Sequence, residues 1–264
     1  MSDAAPVDDT PAVYARGLTR VFDGKVAVDG LDLEVPRGCF FAFLGPNGAG
    51  KSTTIRMLCG MLRPTSGEAR VAGVDPVQDP VAAKRVLGIL PEEIHTYERL
   101  TGVEILVFTG RMHGLGADEA GRRASDLLTL MEVDEADRDR LLVDYSMGTK
   151  KKVLLACAMI HSPRVLFLDE PFNGIDAVTA RAIRRVLERA VEKGVTVFFS
   201  SHVMETVERL CDRAAVIRGG RLVASGSLDD LRVASGLGPG ADLEEAFVRL
   251  VGGVEDRGTL EWLA

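Results

Sequence analysis

The chain has 264 residues, of which 46% are hydrophobic, enough for one large α/β domain or two small ones with a substantial core. Its net charge of -7 gives no overall attraction to nucleic acid or to anionic lipid heads, so we expect no nucleic-acid partner. The four cysteines stand singly in apolar stretches, which is typical of reduced core residues in a cytoplasmic protein: Cys39, Cys59, Cys157 and Cys211.

We expect no export signal at the N-terminus and no membrane span along the chain. Residues 1–12 are acidic and rich in Ala and Pro, and no cationic residue precedes Arg16, so the features of a signal peptide are missing. The longest apolar runs fall far short of the roughly 20 residues that a membrane span needs. We therefore predict a disordered N-terminus over 1–12, a C-terminal tail over 253–264, and a membrane role only through a partner.

Residues 13–44 alternate short β-branched or aromatic runs with turns that contain Gly and Asp. Three runs have the composition of strands: 26–28, 31–35 and 39–44. The sequence therefore predicts a β-rich lobe that leads directly into the segment that follows residue 44.

That segment is rich in glycine and ends in Lys-Ser-Thr; it reads Gly45, Pro46, Asn47, Gly48, Ala49, Gly50, Lys51, Ser52 and Thr53. Glycines let successive backbone N–H groups converge on phosphate oxygens, at the partially positive N-terminus of a helix. Lys51 is placed to reach the β- and γ-phosphates, and the Ser52 hydroxyl to bind Mg²⁺. A match to this pattern arises by chance in on the order of one chain of this length in a hundred. The segment therefore predicts a P-loop that binds a nucleoside triphosphate.

After the P-loop, apolar periodicity predicts a helix over 51–62 and a strand over 86–90. The next part of the chain has no convincing strand. Residues 101–113 and 117–131 have instead the pattern of amphipathic helices, which predicts a helical insertion.

From residue 146 onward, predicted helices and strands alternate, which is typical of a parallel sheet. The predicted helices cover 147–161 and 178–193, and the predicted strands cover 165–168 and 195–199. A hairpin over 213–218 and 221–224 and a closing helix over 242–251 complete the chain.

The predicted strand over 165–168 ends in two carboxylates, Asp169 and Glu170. A run of this kind is usually a strand that meets a solvated turn. In a chain that also has a P-loop, the carboxyl end of a parallel strand faces the phosphates. We therefore expect Asp169 to hold Mg²⁺, directly or through water, and Glu170 to orient or deprotonate the attacking water.

The P-loop, the helical insertion and the Asp-Glu pair, in this order and at long separation, resemble the ATPase subunit of ABC transporters. The resemblance covers about 13–252 and implies an α/β P-loop NTPase fold with a mixed, largely parallel core sheet. It also implies an N-terminal antiparallel β lobe and an inserted helical subdomain over about 92–160. ATP and Mg²⁺ are the implied substrate and metal.

A further segment is similar to the family's signature sequence, in a Y-S-x-G variant of L-S-G-G-Q: Tyr145, Ser146, Met147, Gly148 and Thr149. The resemblance implies that Ser146 and Gly148 touch the γ-phosphate bound to the opposite subunit, whereas Met147 and Thr149 replace Gly and Gln. Ser146 also has the simpler interpretation of a helix N-cap, and both can be true. Lys150, Lys151 and Lys152 crowd a first helical turn, where the dipole disfavours cations, so we expect a bound anion to offset them.

Three single residues match family positions as well. Asp176 resembles the D-loop aspartate that links the two nucleotide sites, whereas the residues alone favour a simpler interpretation, an N-capping Asp after an Asn-Gly turn. His202 follows a predicted strand, where the family has a switch histidine at the γ-phosphate, whereas we expect His95, His113 and His161 to be surface or helix-end residues. Phe22 precedes the P-loop at the adenine-stacking position, and its alternative is a core aromatic.

Glu92 is the main departure from the family pattern, because it stands where the family has a glutamine that reaches Mg²⁺ and the attacking water. A carboxylate can also bind Mg²⁺. It adds negative charge beside the γ-phosphate and near Glu170, however. We expect hydrolysis to survive but to be slower, or more dependent on Mg²⁺, than with glutamine.

The resemblance implies a head-to-tail dimer, of two copies or of this chain and a relative, that closes over two ATP molecules and drives a transmembrane permease from the inner face of the membrane. Residues 93–115 lie where the family grips a permease helix, and the Y-E-R-L-T sequence within them is more similar to ABC-2 type exporters than to importers. Two alternatives stay open. One is a soluble ABC-type ATPase without a transport role, and the other is a nucleotide-gated module in which Glu92 has weakened hydrolysis.

Overall fold

The computed structural model describes residues 10–92 and 97–252. These residues form nine strands, namely β1 (Val13–Phe22), β2 (Lys25–Val35), β3 (Phe40–Leu44), β4 (Ser66–Val71), β5 (Leu87–Leu90), β6 (Val165–Leu168), β7 (Thr196–Ser201), β8 (Arg213–Arg218) and β9 (Arg221–Ser227). The α-helices among them are α1 (Lys51–Leu58), α2 (Pro80–Val86), α3 (Gly102–Met112), α4 (Ala117–Leu130), α5 (Glu135–Arg138), α6 (Met147–Met159), α7 (Ala177–Glu192), α8 (Met204–Leu210), α9 (Leu228–Ala234) and α10 (Leu243–Leu250).

The larger sheet has the strand order β5-β6-β7-β3-β8-β9. Its first five strands are parallel, and β9 pairs antiparallel with β8. The short central strands β3 and β6 are buried along their whole length, as expected for strands covered on both faces. The predicted parallel sheet and the predicted hairpin at its edge are therefore confirmed.

The smaller sheet confirms the predicted β lobe. It is antiparallel with the order β2-β1-β4, and β1 pairs with β2 from Val13 opposite Val35 to Phe22 opposite Lys25. Its third strand, β4, comes from beyond the P-loop helix and was not predicted, because its sequence, SGEARV, lacks a β-branched run and is mostly exposed.

The larger sheet separates two apolar clusters, because successive side chains of its strands point to opposite faces. Strand β3 is an example. Phe40, Ala42 and Leu44 point into a cluster with α6, α7 and the inserted helices. Phe41 and Phe43 point into a second cluster with the small sheet and α1. On this second side Phe198 stacks against Phe41 with ring centroids 5.5 Å apart. The carboxyl ends of the parallel strands are held between these two layers.

The predicted helical insertion lies between β5 and β6 and consists of α3, α4 and the short α5. A capping box starts α3, since the Thr101 hydroxyl accepts from the Glu104 N–H and the Glu104 carboxylate accepts from the Thr101 N–H. α3 packs on α4 and on α6. None of the helices in the described part of the chain is long and apolar enough to cross a membrane.

Element boundaries differ from prediction in a few places. The predicted helix over 51–62 ends at Leu58, and Val86 belongs to α2 rather than to the following strand. α2, α8 and α9 were not predicted, since each is only seven residues long and carries little apolar periodicity. The predicted disordered N-terminus falls mostly, and the predicted C-terminal tail entirely, outside the described residues.

Candidate nucleotide-binding site

The P-loop connects the end of β3 to the first residue of α1, with backbone geometry that requires glycine. Gly48 and Gly50 have φ angles of 77° and 108°, in the left-handed region. A Cβ atom on Gly50 would also lie 2.7 Å from the Ala27 carbonyl oxygen, and one on Gly45 would lie 2.5 Å from the Ile217 carbonyl oxygen. The loop is therefore held close to both neighbouring strands with its N–H groups at a helix start.

The P-loop borders a cleft of about 850 Å³, a size suited to a nucleotide. Most residues that the sequence predicts for nucleotide and metal binding line it together, although they come from distant parts of the chain: Phe22, Pro46, Asn47, Gly48, Ala49, Gly50, Lys51, Ser52, Thr53, Glu92, Asp169 and Glu170. Gly45 lies one residue before the lining, and its carbonyl oxygen accepts a hydrogen bond from Lys51 Nζ at 2.7 Å.

The two acidic residues at the end of β6 are buried, and a serine of the neighbouring strand bonds the carboxylate of the first and the backbone N–H of the second. Ser200 Oγ donates to Asp169 Oδ1 at 2.6 Å and accepts from the Glu170 N–H at 2.9 Å. Glu170 Oε1 lies 3.0 Å from His202 Nδ1 and 4.0 Å from Lys51 Nζ. The residue type of Ser200 indicates no role, and only its position near the end of β7, two residues before His202, would have indicated one.

The polar side chains at this end of the cleft suit Mg²⁺ by their chemistry. Ser52, Asp169 and Glu92 offer a hydroxyl and two carboxylates, which are the oxygen ligands that this ion prefers. Among the described residues, no three His, Cys, Asp or Glu side chains are grouped closely enough to form a metal cage.

Phe22 is 40% exposed at the rim of the cleft, so the core-aromatic alternative is wrong. The guanidinium carbon of Arg20 lies 4.3 Å from the centre of its ring. Arg20 is in turn fixed by a 3.0 Å hydrogen bond from Nη1 to the Arg63 carbonyl. This cation–π contact holds one face of the Phe22 ring in place at the cleft.

The signature-like segment starts α6 and does not line the cleft of its own chain. Ser146 is the N-cap, because its Oγ accepts from the Thr149 N–H at 3.1 Å. Gly148 packs on α7, where an added Cβ would lie 2.9 Å from Thr179 Oγ1. Ser146, Met147 and Thr149 are accessible at the surface.

The expected anion beside the lysines of α6 is not needed for two of them. Lys151 is buried and its Nζ donates to backbone carbonyl oxygens of Glu170, Pro171 and Asn173. Lys152 Nζ donates to the Glu132 carbonyl at 3.2 Å. For Lys151 and Lys152 the expectation was wrong, because it placed their ammonium groups at the N-terminal end of α6. Both groups instead reach backbone carbonyl oxygens of neighbouring segments.

Asp176 is the N-cap of α7. Its Oδ1 accepts from the Val178 and Thr179 N–H groups, both at 2.9 Å, and its Oδ2 accepts from Thr179 Oγ1. The hydrogen bonds from Thr179 hold the pKa of the Asp176 carboxyl below its usual value.

The remaining histidines lie away from the cleft where they are described. His113 ends α3, and its ring stacks on that of His161 with centroids 3.8 Å apart. His95 lies outside the described residues. All four cysteines are free thiols, and burial raises the pKa of Cys39 to about 11 and that of Cys157 to about 12.

Comparisons with known proteins agree with this geometry. Residues 28–173 match the family described as ABC transporter. The chain is 40% identical to the daunorubicin/doxorubicin resistance ATP-binding protein DrrA of Streptomyces peucetius, over 86% of this chain and 68% of that protein. It is 38% identical to the probable multidrug ABC transporter ATP-binding protein YbhF of Escherichia coli, over 93% of this chain but only 43% of that longer protein.

A solved structure described as the ATP-binding subunit of an ABC transporter superposes with a TM-score of 0.84 at 32% identity. The match covers 90% of this chain and 99% of that one. The chain therefore belongs to the ABC transporter family, as an ATP-binding domain with the P-loop NTPase fold.

Proposed function

We propose that this chain hydrolyses ATP and thereby energises transport by a separate transmembrane permease. The observation that carries the proposal is the position of Glu170 Oε1, between Lys51 Nζ at 4.0 Å and His202 Nδ1 at 3.0 Å. A buried carboxylate at that point is placed to orient or deprotonate a water molecule beside the γ-phosphate.

The positions of the side chains support the other roles that we propose. P-loop N–H groups and Lys51 bind phosphate oxygens, Phe22 stacks on the adenine, and His202 fixes the Glu170 carboxylate. Ser52, Asp169 and Glu92 are the residues that would hold Mg²⁺, which neutralises charge on the β- and γ-phosphates when bound. Lys51 Nζ now donates to the Gly45 and Pro46 carbonyls, so it exchanges these neutral partners for phosphate oxygens on binding.

A second subunit, either another copy or a relative, completes the site. In support, Ser146 and Met147 are exposed outside the cleft, at the start of a helix whose N–H groups can bind a second chain's γ-phosphate. We propose a head-to-tail dimer in which Ser146 and Gly148 contact the partner's nucleotide and Asp176 connects the two sites. Closure then depends on ATP, and hydrolysis reopens the dimer.

An exposed apolar surface supports the permease contact. Tyr97, Phe108 and Met112 are 63%, 43% and 71% exposed on the helical insertion, and the first two rings make an edge contact at 5.6 Å. Aromatic and Met side chains exposed together are typical of a protein interface. Residues 93–96 of the predicted contact lie outside the described residues.

We assign the direction of transport as export, with the chain bound peripherally at the inner face of the membrane. The support is that relatives carry names that state resistance to daunorubicin and doxorubicin or multidrug transport. A soluble ABC-type ATPase without a transport role remains the alternative. A neighbouring reading frame that encodes about six spans of ~20 apolar residues favours transport.

The test is ATP hydrolysis by the purified chain as a function of its own concentration. A site completed by two subunits predicts a specific activity that rises with protein concentration and then levels off. Glu170→Gln is the control and should reduce turnover to a small residual rate while ATP is still bound. Binding without Glu170-dependent turnover at any concentration would contradict the proposal and favour the nucleotide-gated module.

A further inference from the structure

Lys151 is a buried lysine whose charge lies beneath the catalytic loop. It stands one turn into α6 and is only 5% exposed. Its three N–H donors meet three backbone carbonyl oxygens of one loop, at 3.1 Å for Glu170, 3.4 Å for Pro171 and 2.5 Å for Asn173. An ammonium group is costly to bury unless such acceptors surround it, so the loop and this side chain fit each other closely.

The first of these carbonyls belongs to Glu170, whose backbone is unusual. Its φ angle is +49°, in the left-handed region that a non-glycine residue rarely adopts. Conformations of this kind persist only where surrounding contacts hold them. The Glu170 N–H is held by Ser200 Oγ, and its carbonyl oxygen is held by Lys151 Nζ and the Asn173 N–H. Lys151 thus helps to fix the direction in which the Glu170 side chain leaves the backbone.

The signature-like segment forms the turn of α6 that precedes Lys151. Ser146 caps α6, Gly148 packs against Thr179, and Asp176 caps α7 through Thr179. Lys151 closes this arrangement by joining α6 to the loop that runs from Glu170 to Asp176. The surface offered to a second subunit and the carboxylate of the first subunit's own site are therefore parts of one packed unit.

We propose that Lys151 is a positioning residue for ATP hydrolysis, which holds the left-handed Glu170 backbone and ties the carboxylate to the start of α6. The inference rests on the proposed ATPase function. It implies that movement of α6 when a second subunit docks is transmitted to Glu170 through one side chain. It also explains why a lysine is buried one turn into α6, since the three carbonyl oxygens compensate its charge.

The variants Lys151→Met and Lys151→Arg test this role. Met keeps the length of the side chain and removes the donors, so we expect kcat to fall at least about tenfold while KM for ATP changes less than about twofold. Arg keeps the charge and the donors and should recover part of kcat. The matched control is Lys152→Met, which removes the neighbouring ammonium group from the Glu132 carbonyl and should leave kcat unchanged.

A double mutant separates positioning from a general loss of structure. If Lys151 acts through Glu170, adding Lys151→Met to Glu170→Gln should lower the single-turnover rate less than about twofold further. The inference is overturned if Lys151→Met lowers the single-turnover rate by the same factor in the wild type and in Glu170→Gln. It is also overturned if the kcat of Lys151→Met is within twofold of the wild-type kcat. If Lys151→Met does not fold, Lys151→Gln, which removes the charge and shortens the side chain, is measured by the same criteria.

Amide hydrogen exchange of residues 170–176 supplies a readout that does not need turnover. Lys151→Met should raise exchange there more than Lys152→Met does, and equal exchange in the two variants overturns the inference. Wild-type turnover that depends on Glu170, together with a silent Lys151→Met, would reject the positioning role alone. Equal turnover in Glu170→Gln and in the wild type would reject the proposed function itself.

Discussion

Glu92 puts a third carboxylate into a cleft that already holds Asp169 and Glu170. Burial lowers the pKa of the Lys151 ammonium group, and the charges of Glu170 and of Glu92 partly oppose this effect. Like charges around a site for a polyanionic nucleotide repel it and one another unless cations compensate. The local balance of charge at this single position should therefore set both the rate of hydrolysis and its demand for Mg²⁺.

For Glu92→Gln we expect faster hydrolysis, by a few-fold in kcat, and half-maximal activity at a lower Mg²⁺ concentration. The reason is that glutamine keeps an oxygen ligand while it removes one negative charge beside the γ-phosphate. Steady-state rates over a Mg²⁺ titration at saturating ATP measure both quantities. Glu92→Asp, which keeps the charge, should stay close to the wild type. An unchanged rate together with an unchanged Mg²⁺ dependence in Glu92→Gln would end this interpretation of Glu92.

Residues that act locally could be found from the sequence, whereas residues that act across the fold could not. The P-loop is one continuous motif. Asp169 and Glu170, which line the same cleft, directly follow a strand that is apolar throughout. Lys151 was misread because its partners are backbone carbonyls about twenty positions away, a contact that leaves no trace in residue type. Ser200 is comparable, since its role depends on β6 and β7 being neighbours.

At the scale of elements, a pair of histidines joins the inserted helices to the core. His113 at the end of α3 stacks on His161, which follows α6 and hydrogen-bonds through Nε2 to the Leu87 carbonyl of β5 at 3.0 Å. The pKa of His161 is lowered to about 4, mainly by burial and in smaller part by the nearby His113 and Arg123, while the hydrogen bond to Leu87 opposes the shift. Its other ring nitrogen, Nδ1, is buried without a hydrogen-bond partner, so a proton there would have nothing to donate to.

This junction predicts a loss of stability in mild acid. The pKa of His161 is about 4 in the folded chain and about 6.5 when unfolded, so between these values the unfolded state binds more protons and stability falls as pH falls. We expect about 1 to 2 kcal/mol from this source, less than the full linkage because the ring is partly exposed. Urea unfolding from pH 7.5 to 4.5 measures it.

The matched variant is His161→Gln, which can still donate to the Leu87 carbonyl but cannot titrate. Replacing the ring changes packing at every pH, so the informative quantity is the slope of unfolding free energy against pH. That slope should be shallower in the variant below about pH 6.5. Equal slopes would show that carboxylates alone cause the acid sensitivity and that this junction does not contribute.

At the scale of the whole molecule, the dimer that we propose gives the chain two half-sites, which lie in different parts of the chain. One is the cleft with Lys51 and Glu170, and the other is the exposed start of α6 at Ser146. In a head-to-tail pair with twofold symmetry, each half-site of one subunit meets the opposite half-site of its partner. Two chains with different defects can therefore restore one complete site between them, although neither is active alone.

The mixing experiment combines Lys51→Met, which disables the P-loop, with Ser146→Asp, which disables the start of α6. Aspartate is as good an N-cap as serine, so α6 keeps its capping bond while the new charge repels a γ-phosphate. At equal concentrations half of the dimers are mixed and each holds one intact site, so the mixture should reach about a quarter of the wild-type specific activity. Each variant alone should be close to inactive. A mixture of either variant with the double mutant Lys51→Met/Ser146→Asp should also be close to inactive.

A mixture of the two single variants with no more activity than its components would mean that the two half-sites do not meet across a dimer, or that one intact site cannot turn over alone. Glu170→Gln mixed with the wild type separates these cases, because sites that hydrolyse independently lose activity in proportion to the variant present, whereas coupled sites lose it faster.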